Sequence, residues 1–113
     1  MDQVVDLEGS SQFQSLNIAL LSIGTDAIEQ LASAARQWGV RTPHLSDQGG
    51  RVTRRYGLSR WTMPSGEPMH TFVLVGKDGR VKWVNDYGAP ENGGRMNVPV
   101  SELYPHLSKG LSK

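Results

Sequence analysis

Pro68-Met69-His70-Thr71-Phe72-Val73-Leu74-Val75, continued by Gly76-Lys77-Asp78-Gly79-Arg80-Val81, is the stretch that decides the fold. Phe72 to Val75 is an unbroken apolar run of aromatic and branched side chains, the composition of a buried strand. Asp78-Gly79 carries the chemistry of a tight turn. Beyond it Val81 and Trp83 alternate with Arg80 and Lys82, which predicts an edge strand with one wet face.

Upstream, Asn17-Ile18-Ala19-Leu20-Leu21-Ser22-Ile23-Gly24 is a second short apolar run and predicts a strand covered on both faces. Asp26, with Glu29 three residues later, has the spacing of a capping box. Ile28, Leu31, Ala32 and Ala35 then recur at helical intervals, and Gly39 stands where such a helix would stop. After Thr42-Pro43-His44-Leu45, Asp47 is placed to cap a second, short helix with Val52 and Tyr56 on its inner side and Gly57 at its end. The opening segment, Met1 to about Gly9, sets Val4, Leu7 and Val5 to one side and is weakly helical.

Two long irregular stretches remain. Leu58 to Pro68 is a loop with two prolines and one glycine, long enough to suggest a role. Asp86 to Pro99 is rich in Gly, Asn and Pro. Ser101 follows as the cap of a last helix using Leu103, Leu107 and Leu111, with Pro105 tolerable only within roughly its first turn. The expected order is helix, strand, helix, helix, strand, strand, helix: an α/β chain with three core strands.

With 113 residues, one domain over 1–113 is the sensible count. Twelve basic and eleven acidic side chains leave a formal charge of +1, so no global field recruits nucleic acid or an anionic membrane. There is no cysteine, hence no disulfide, thiolate nucleophile or sulfur-rich metal site. The longest apolar runs are far too short to cross a bilayer, and Asp2, Asp6 and Glu8 are unlike the basic front of a secretory signal. A cytoplasmic protein is the expectation.

Several of these pieces, over about residues 15 to 109, resemble the peroxiredoxin and redoxin (AhpC/TSA-like) branch of the thioredoxin-like superfamily. Leu20-Leu21-Ser22-Ile23-Gly24-Thr25-Asp26 resembles that branch's second strand and its exit into a helix. Trp38-Gly39-Val40 and Pro43-His44-Leu45-Ser46-Asp47 resemble the segment after the helix. Tyr56-Gly57-Leu58, Gly66-Glu67-Pro68 and the hairpin from Thr71 to Val81 complete the series. The resemblance implies a three-layer thioredoxin-like fold and, for the family, thiol-dependent reduction of peroxides or disulfides, with antioxidant oxidoreductase activity.

On this alignment Met1 falls past the family's reactive cysteine, so the expectation is a domain truncated at its N-terminus and lacking the first core strand. No catalytic residue carries over, and no cofactor is implied. Where the family keeps an arginine or a cis-proline, this chain has Met69, with Pro68 one position earlier. The lost strand would lie between Ile18–Ile23 and Thr71–Val75, a gap of roughly 10 Å at ordinary strand spacing. Closure of the two flanking strands onto each other, or a homodimer completing the sheet, is expected, because buried unpaired amides cost about 1–3 kcal/mol each.

Candidate sites are few. His70, beside the long loop, is a ligand contact or base, although a hydrogen bond to backbone is the plainer expectation. His44 and His106 share no metal-ligand spacing with it, so no metal site is expected. Arg51, Arg54, Arg55 and Arg60 read as a solvated basic face rather than a nucleic-acid patch. Trp83 reads as core and Trp38 as helix-end packing. Trp61 and Met63, together with Pro68, Met69 and His70, form the expected contact set for a protein partner. The non-enzymatic alternative is therefore a thioredoxin-like binding module.

Overall fold

The computed structural model describes residues 2–57 and 70–113. Among them are five α-helices, α1 (Asp2–Glu8), α2 (Ser11–Gln14), α3 (Ile28–Trp38), α4 (Arg51–Arg55) and α5 (Val100–Leu111). Four strands, β1 (Ser22–Gly24), β2 (His44–Ser46), β3 (Thr71–Val75) and β4 (Val81–Asp86), and a 3₁₀ turn at Pro90–Asn92 accompany them. The molecule is mixed α/β.

The strands form two separate pairs. β1 runs parallel to β2, with Ile23 opposite Leu45, and β3 runs antiparallel to β4, with Val73 opposite Val84. Four strands are described where three were expected, because His44–Ser46, given no element from the sequence, is extended and bonded to β1. Closure of the two flanking strands does not occur: among the described residues β1 and β3 share no bonds. The predicted long strand from Asn17 also contracts to three residues, and it is not covered on both faces, since Leu21 is 56% and Ile23 45% exposed.

The hairpin forms as its sequence dictates, with Gly79 in the left-handed region at φ 79°. The expected alternation in β4 fails at its start. Leu74 pairs with Trp83 and Val75 with Val81, so Lys82 is an extra residue, and this bulge turns Val81 out to solvent.

α3 stops at Gly39, a left-handed cap at φ 68°, as its sequence predicts. Its start differs: the capping position is Ala27, without a side-chain cap, and Asp26 instead offers its carbonyl to the Ser46 hydroxyl at 2.7 Å. Asp47 does cap α4, its carboxylate accepting from the Val52 and Thr53 amides at 2.9 Å each. Val52 and Tyr56 are exposed, however, and Thr53 is the buried residue of that helix. α5 begins at Val100 after Pro99 and carries Pro105 in its interior rather than its first turn. Leu103 and Leu107 are buried as expected, while Leu111 is exposed.

The core lies on one side, built from Leu7, Phe13, Leu74, Tyr87, Val98, Leu103 and Leu107. Phe13 belongs to α2, a helix that the sequence reading passed over, started by Ser10, whose hydroxyl accepts from the Phe13 amide at 3.1 Å. Tyr87 and Val98 come from the loop after β4, read from sequence as irregular. Trp83 packs against this cluster, with His106 stacked on its ring at 5.4 Å, whereas Trp38 is half exposed.

Candidate functional site

A cleft of about 840 Å³ separates β1 from β3 and is lined by residues of both strands. One edge is Ser22–Asp26 and the other Thr71–Val75; Leu7, Phe13 and Leu107 contribute from α1, α2 and α5, and Leu31, Val52 and Tyr56 from α3 and its neighbours. The cleft is therefore largely apolar, with backbone along two sides.

Backbone alternation fixes what those sides present. Ser22 donates to the Pro43 carbonyl at 3.0 Å, and the Gly24 carbonyl accepts from Asp47, so both residues face β2. Ile23, between them, turns its N–H and C=O the other way. In the hairpin the His70 carbonyl accepts from Gly88 at 3.1 Å and the Gly76 amide donates to Arg80 at 2.8 Å. Even-numbered residues of β3 thus face β4, and Val73 and Val75 direct their peptide groups to the far edge.

His70 stands at one end of this cleft. Its Nε2 lies 2.9 Å from Oε1 of Gln3. The same Gln3 oxygen accepts from the Val98 amide at 2.7 Å, and the Gln3 amide nitrogen donates to the Val98 carbonyl at 3.0 Å. With the glutamine orientation set by that backbone pair, Nε2 of His70 is the donor. The expected bond to backbone is replaced by one to a side chain. Phe72 meets the imidazole edge-on at 5.2 Å. Burial holds the His70 pKa below the ordinary histidine value, opposed by the charge of Asp86, so the ring is neutral near pH 7.

Trp61, Met63, Pro68 and Met69, the rest of the expected contact set, lie outside the described residues, as does Arg60. Arg51, Arg54 and Arg55 are exposed on α4, with Nη1 of Arg54 donating to the Gly49 carbonyl at 2.7 Å. His44 on β2 and His106 on α5 are not brought to His70, and His44 uses Nδ1 on the Thr42 carbonyl at 2.7 Å. Among the described residues no three His, Asp or Glu side chains gather as a metal site. Nor is any described helix long and apolar enough to cross a membrane.

Sequence reading missed Gln3 and Val98, which are 95 positions apart, because nothing local marks either. It also missed Glu8. That carboxylate accepts from the Arg41 and Thr42 amides at 2.9 and 2.6 Å and from the Thr42 hydroxyl, tying α1 to the turn before β2. The Thr42 hydroxyl is the main reason its pKa is held below the usual value.

The family model of the AhpC/TSA family matches residues 3–84. The chain belongs to that family. No curated protein and no solved structure matches it significantly. The match spans α1 through most of β4, so both edges of the cleft fall inside it. A mixed α/β structure with two small sheets is compatible with part of the thioredoxin-like fold that this redoxin family implies. The family points to redox function, yet these 113 residues hold no cysteine.

Proposed function

We propose that these residues form a redoxin-type, thioredoxin-like domain that does not itself perform thiol chemistry. The observation that carries this is the absence of cysteine from a sequence whose family resemblance implies a thiolate mechanism. Reduction of a peroxide by that route needs a low-pKa sulfur to attack the O–O bond and then to be resolved as a disulfide. Methionine can be oxidised to its sulfoxide but cannot form the disulfide. Neutral His70, with its Nε2 proton held by Gln3, replaces none of these steps. The finer reading of the fold is a three-layer arrangement interrupted between β1 and β3, and the cleft between those strands supports it.

A hydrogen peroxide consumption assay, with dithiothreitol as reductant and a cysteine-bearing peroxiredoxin as positive control, tests the proposal. The expected rate equals buffer. A thiol-dependent rate proportional to chain concentration overturns it.

Protein binding is the second reading, in a cytoplasmic setting. It is favoured by apolar residues that line the cleft and remain open, such as Tyr56 at 48% and Val75 at 46% exposure. Leu58–Pro68 is the other contact surface proposed for it. A partner retained after joint Trp61→Ala and Met63→Ala substitution would argue against that loop.

A further inference from the structure

We propose that Asn92 is a conditional deamidation site. The closed loop between β4 and α5 preserves its side-chain amide, and opening of that loop releases it to react with the Gly93 peptide nitrogen. The conversion then keeps the loop from closing again.

The chemistry selects this position. Asn17, Asn85 and Asn97 precede Ile18, Asp86 and Val98, and only Asn92 precedes a glycine. A following side chain crowds the peptide nitrogen that must reach the asparagine carboxamide, and glycine has none. Asn92 and Gly93 are both exposed, so water and hydroxide reach them. Once hydroxide takes the Gly93 amide proton, that nitrogen attacks Cγ of Asn92. The new N–Cγ bond forms and the Cγ–Nδ2 bond breaks. Ammonia leaves with a proton from water, which regenerates the hydroxide, and a cyclic imide remains. Water opens the imide at either carbonyl, giving aspartate or isoaspartate. The net change is hydrolysis of one amide, with no change of oxidation state.

The closed loop opposes each part of this step. Nδ2 of Asn92, the leaving nitrogen, donates to the Asp86 carbonyl at 2.6 Å. The Gly93 N–H donates to the Pro90 carbonyl at 3.1 Å and the Asn92 N–H to the Ala89 carbonyl at 2.9 Å, so the nucleophile is tied into the 3₁₀ turn. That turn is itself anchored. Gly94 donates to the Ala89 carbonyl and Arg95 to the Tyr87 carbonyl, at 3.1 and 2.8 Å, and both Tyr87 and Ala89 are buried. Freeing Nδ2 and the Gly93 nitrogen together requires the loop to open, so the rate follows the population of the open form.

The products do not resume these contacts. Aspartate has no donor for the Asp86 carbonyl and sets one acceptor against another. Isoaspartate routes the main chain through the side-chain carbon. The extra backbone atom displaces the bonds from Gly93 and Gly94 to Pro90 and Ala89.

The test incubates the whole chain at pH 7.5, folded and in concentrated guanidinium chloride, and follows aspartate and isoaspartate by peptide mass spectrometry. In denaturant, Asn92 is expected to convert at least tenfold faster than Asn17, Asn85 or Asn97. In the folded chain it is expected to convert at least tenfold more slowly than in denaturant. The converted chain, separated by ion exchange and returned to buffer, is expected to exchange its Gly94 and Arg95 amide hydrogens at least tenfold faster than the unmodified one. Asn92→Asp, with the new charge on an ordinary backbone, is expected to reproduce part of that increase. Faster conversion of another asparagine in denaturant overturns the site, and equal rates in folded and unfolded chains overturn its protection by the loop. Unchanged Gly94 and Arg95 exchange after conversion overturns the block to reclosure. No increase in Asn92→Asp overturns the role given to the bond with the Asp86 carbonyl.

Discussion

Gln3 and Val98 are joined by a reciprocal pair of hydrogen bonds: the Gln3 side chain accepts from the Val98 N–H and donates to the Val98 C=O, at 2.7 and 3.0 Å. Both residues are buried, Val98 completely. One primary amide thus satisfies both polar groups of a peptide residue that sits in the hydrophobic core, and α1 is fastened to the segment entering α5. His70 adds a third bond to the same oxygen, so the cleft's end depends on this junction.

Replacing Gln3 by leucine keeps much of the volume but leaves the Val98 amide and carbonyl buried without partners. At about 1–3 kcal/mol for each stranded group, the expected loss is about 2–6 kcal/mol, read as a lower urea midpoint. Gln3→Glu separates the two bonds, since a carboxylate still accepts from Val98 N–H but donates nothing to its carbonyl. It should fall between wild type and Gln3→Leu at pH 7, and a midpoint equal to wild type would refute the clamp.

Glu8 and Asp47 both have pKa values held below the usual carboxylate range, Glu8 chiefly by the Thr42 hydroxyl and Asp47 chiefly by the Val52 amide. Their folded forms release protons more readily than the unfolded chain does. The stability they contribute is present above the ordinary carboxylate pKa and is lost as pH falls through the lower folded values. Unfolding should therefore become easier below about pH 4. Asp47→Asn should cost about 1–3 kcal/mol at pH 7, by weakening the bonds to the Val52 and Thr53 amides and the Thr53 hydroxyl, and should flatten the acid limb of the profile. An unchanged acid limb in the variant would assign that limb to other groups.

Much of the chain's local structure was legible in its sequence because local chemistry decided it. Gly39 ends a helix, Asp47 caps one, Asp78-Gly79 turns a hairpin, and each of these is settled within a few residues. Legibility failed where distant contacts decide. Asp26 has the spacing of a cap, but its carbonyl is taken by Ser46 and the helix begins beyond it. Ile18 to Leu21 has strand composition, but among the described residues no strand is bonded to it, and only Ser22–Gly24 finds a partner in β2. Tyr87 and Val98 lie among glycines and prolines, yet they fill the core between β3, β4 and α5. The cleft was legible only as a gap to be closed. Its walls bring together residues far apart in the chain, from Leu7 to Leu107, which no local pattern joins.

His70 should leave its own mark on pH dependence. Burial lowers its folded pKa, so the unfolded chain takes up a proton first as pH falls below about 6.5. Folding stability should begin to decline there, well above the carboxylate limb, and continue until the folded imidazole also protonates. His70→Gln removes the titration while keeping a side chain that can donate to Gln3. Guanidinium titrations at pH 7.5 and 5.5 should show a smaller difference for the variant than for wild type. An identical difference would mean that His70 titrates normally and that its environment is wetter than described.

Gly110 lies in the last turn of α5 where the helix crosses the hairpin. A Cβ placed there would come within 2.6 Å of Leu74 Cδ2 and 3.6 Å of Trp83 Cβ. Leu74 is itself a buried core residue, with little room to withdraw. In an exposed helix, Gly→Ala would be stabilising by roughly 1 kcal/mol through propensity alone. Here overpacking opposes that gain, and forced shifts in a filled core cost typically about 1–3 kcal/mol. Gly110→Ala is therefore expected to be destabilising or neutral. The double variant with Leu74→Ala, which clears the opposing methyl, should show a favourable coupling between the two changes when measured as a double-mutant cycle. Additive effects, or a stabilised single variant, would mean that α5 can slide on the hairpin and that the close approach at Gly110 is not what sets their spacing.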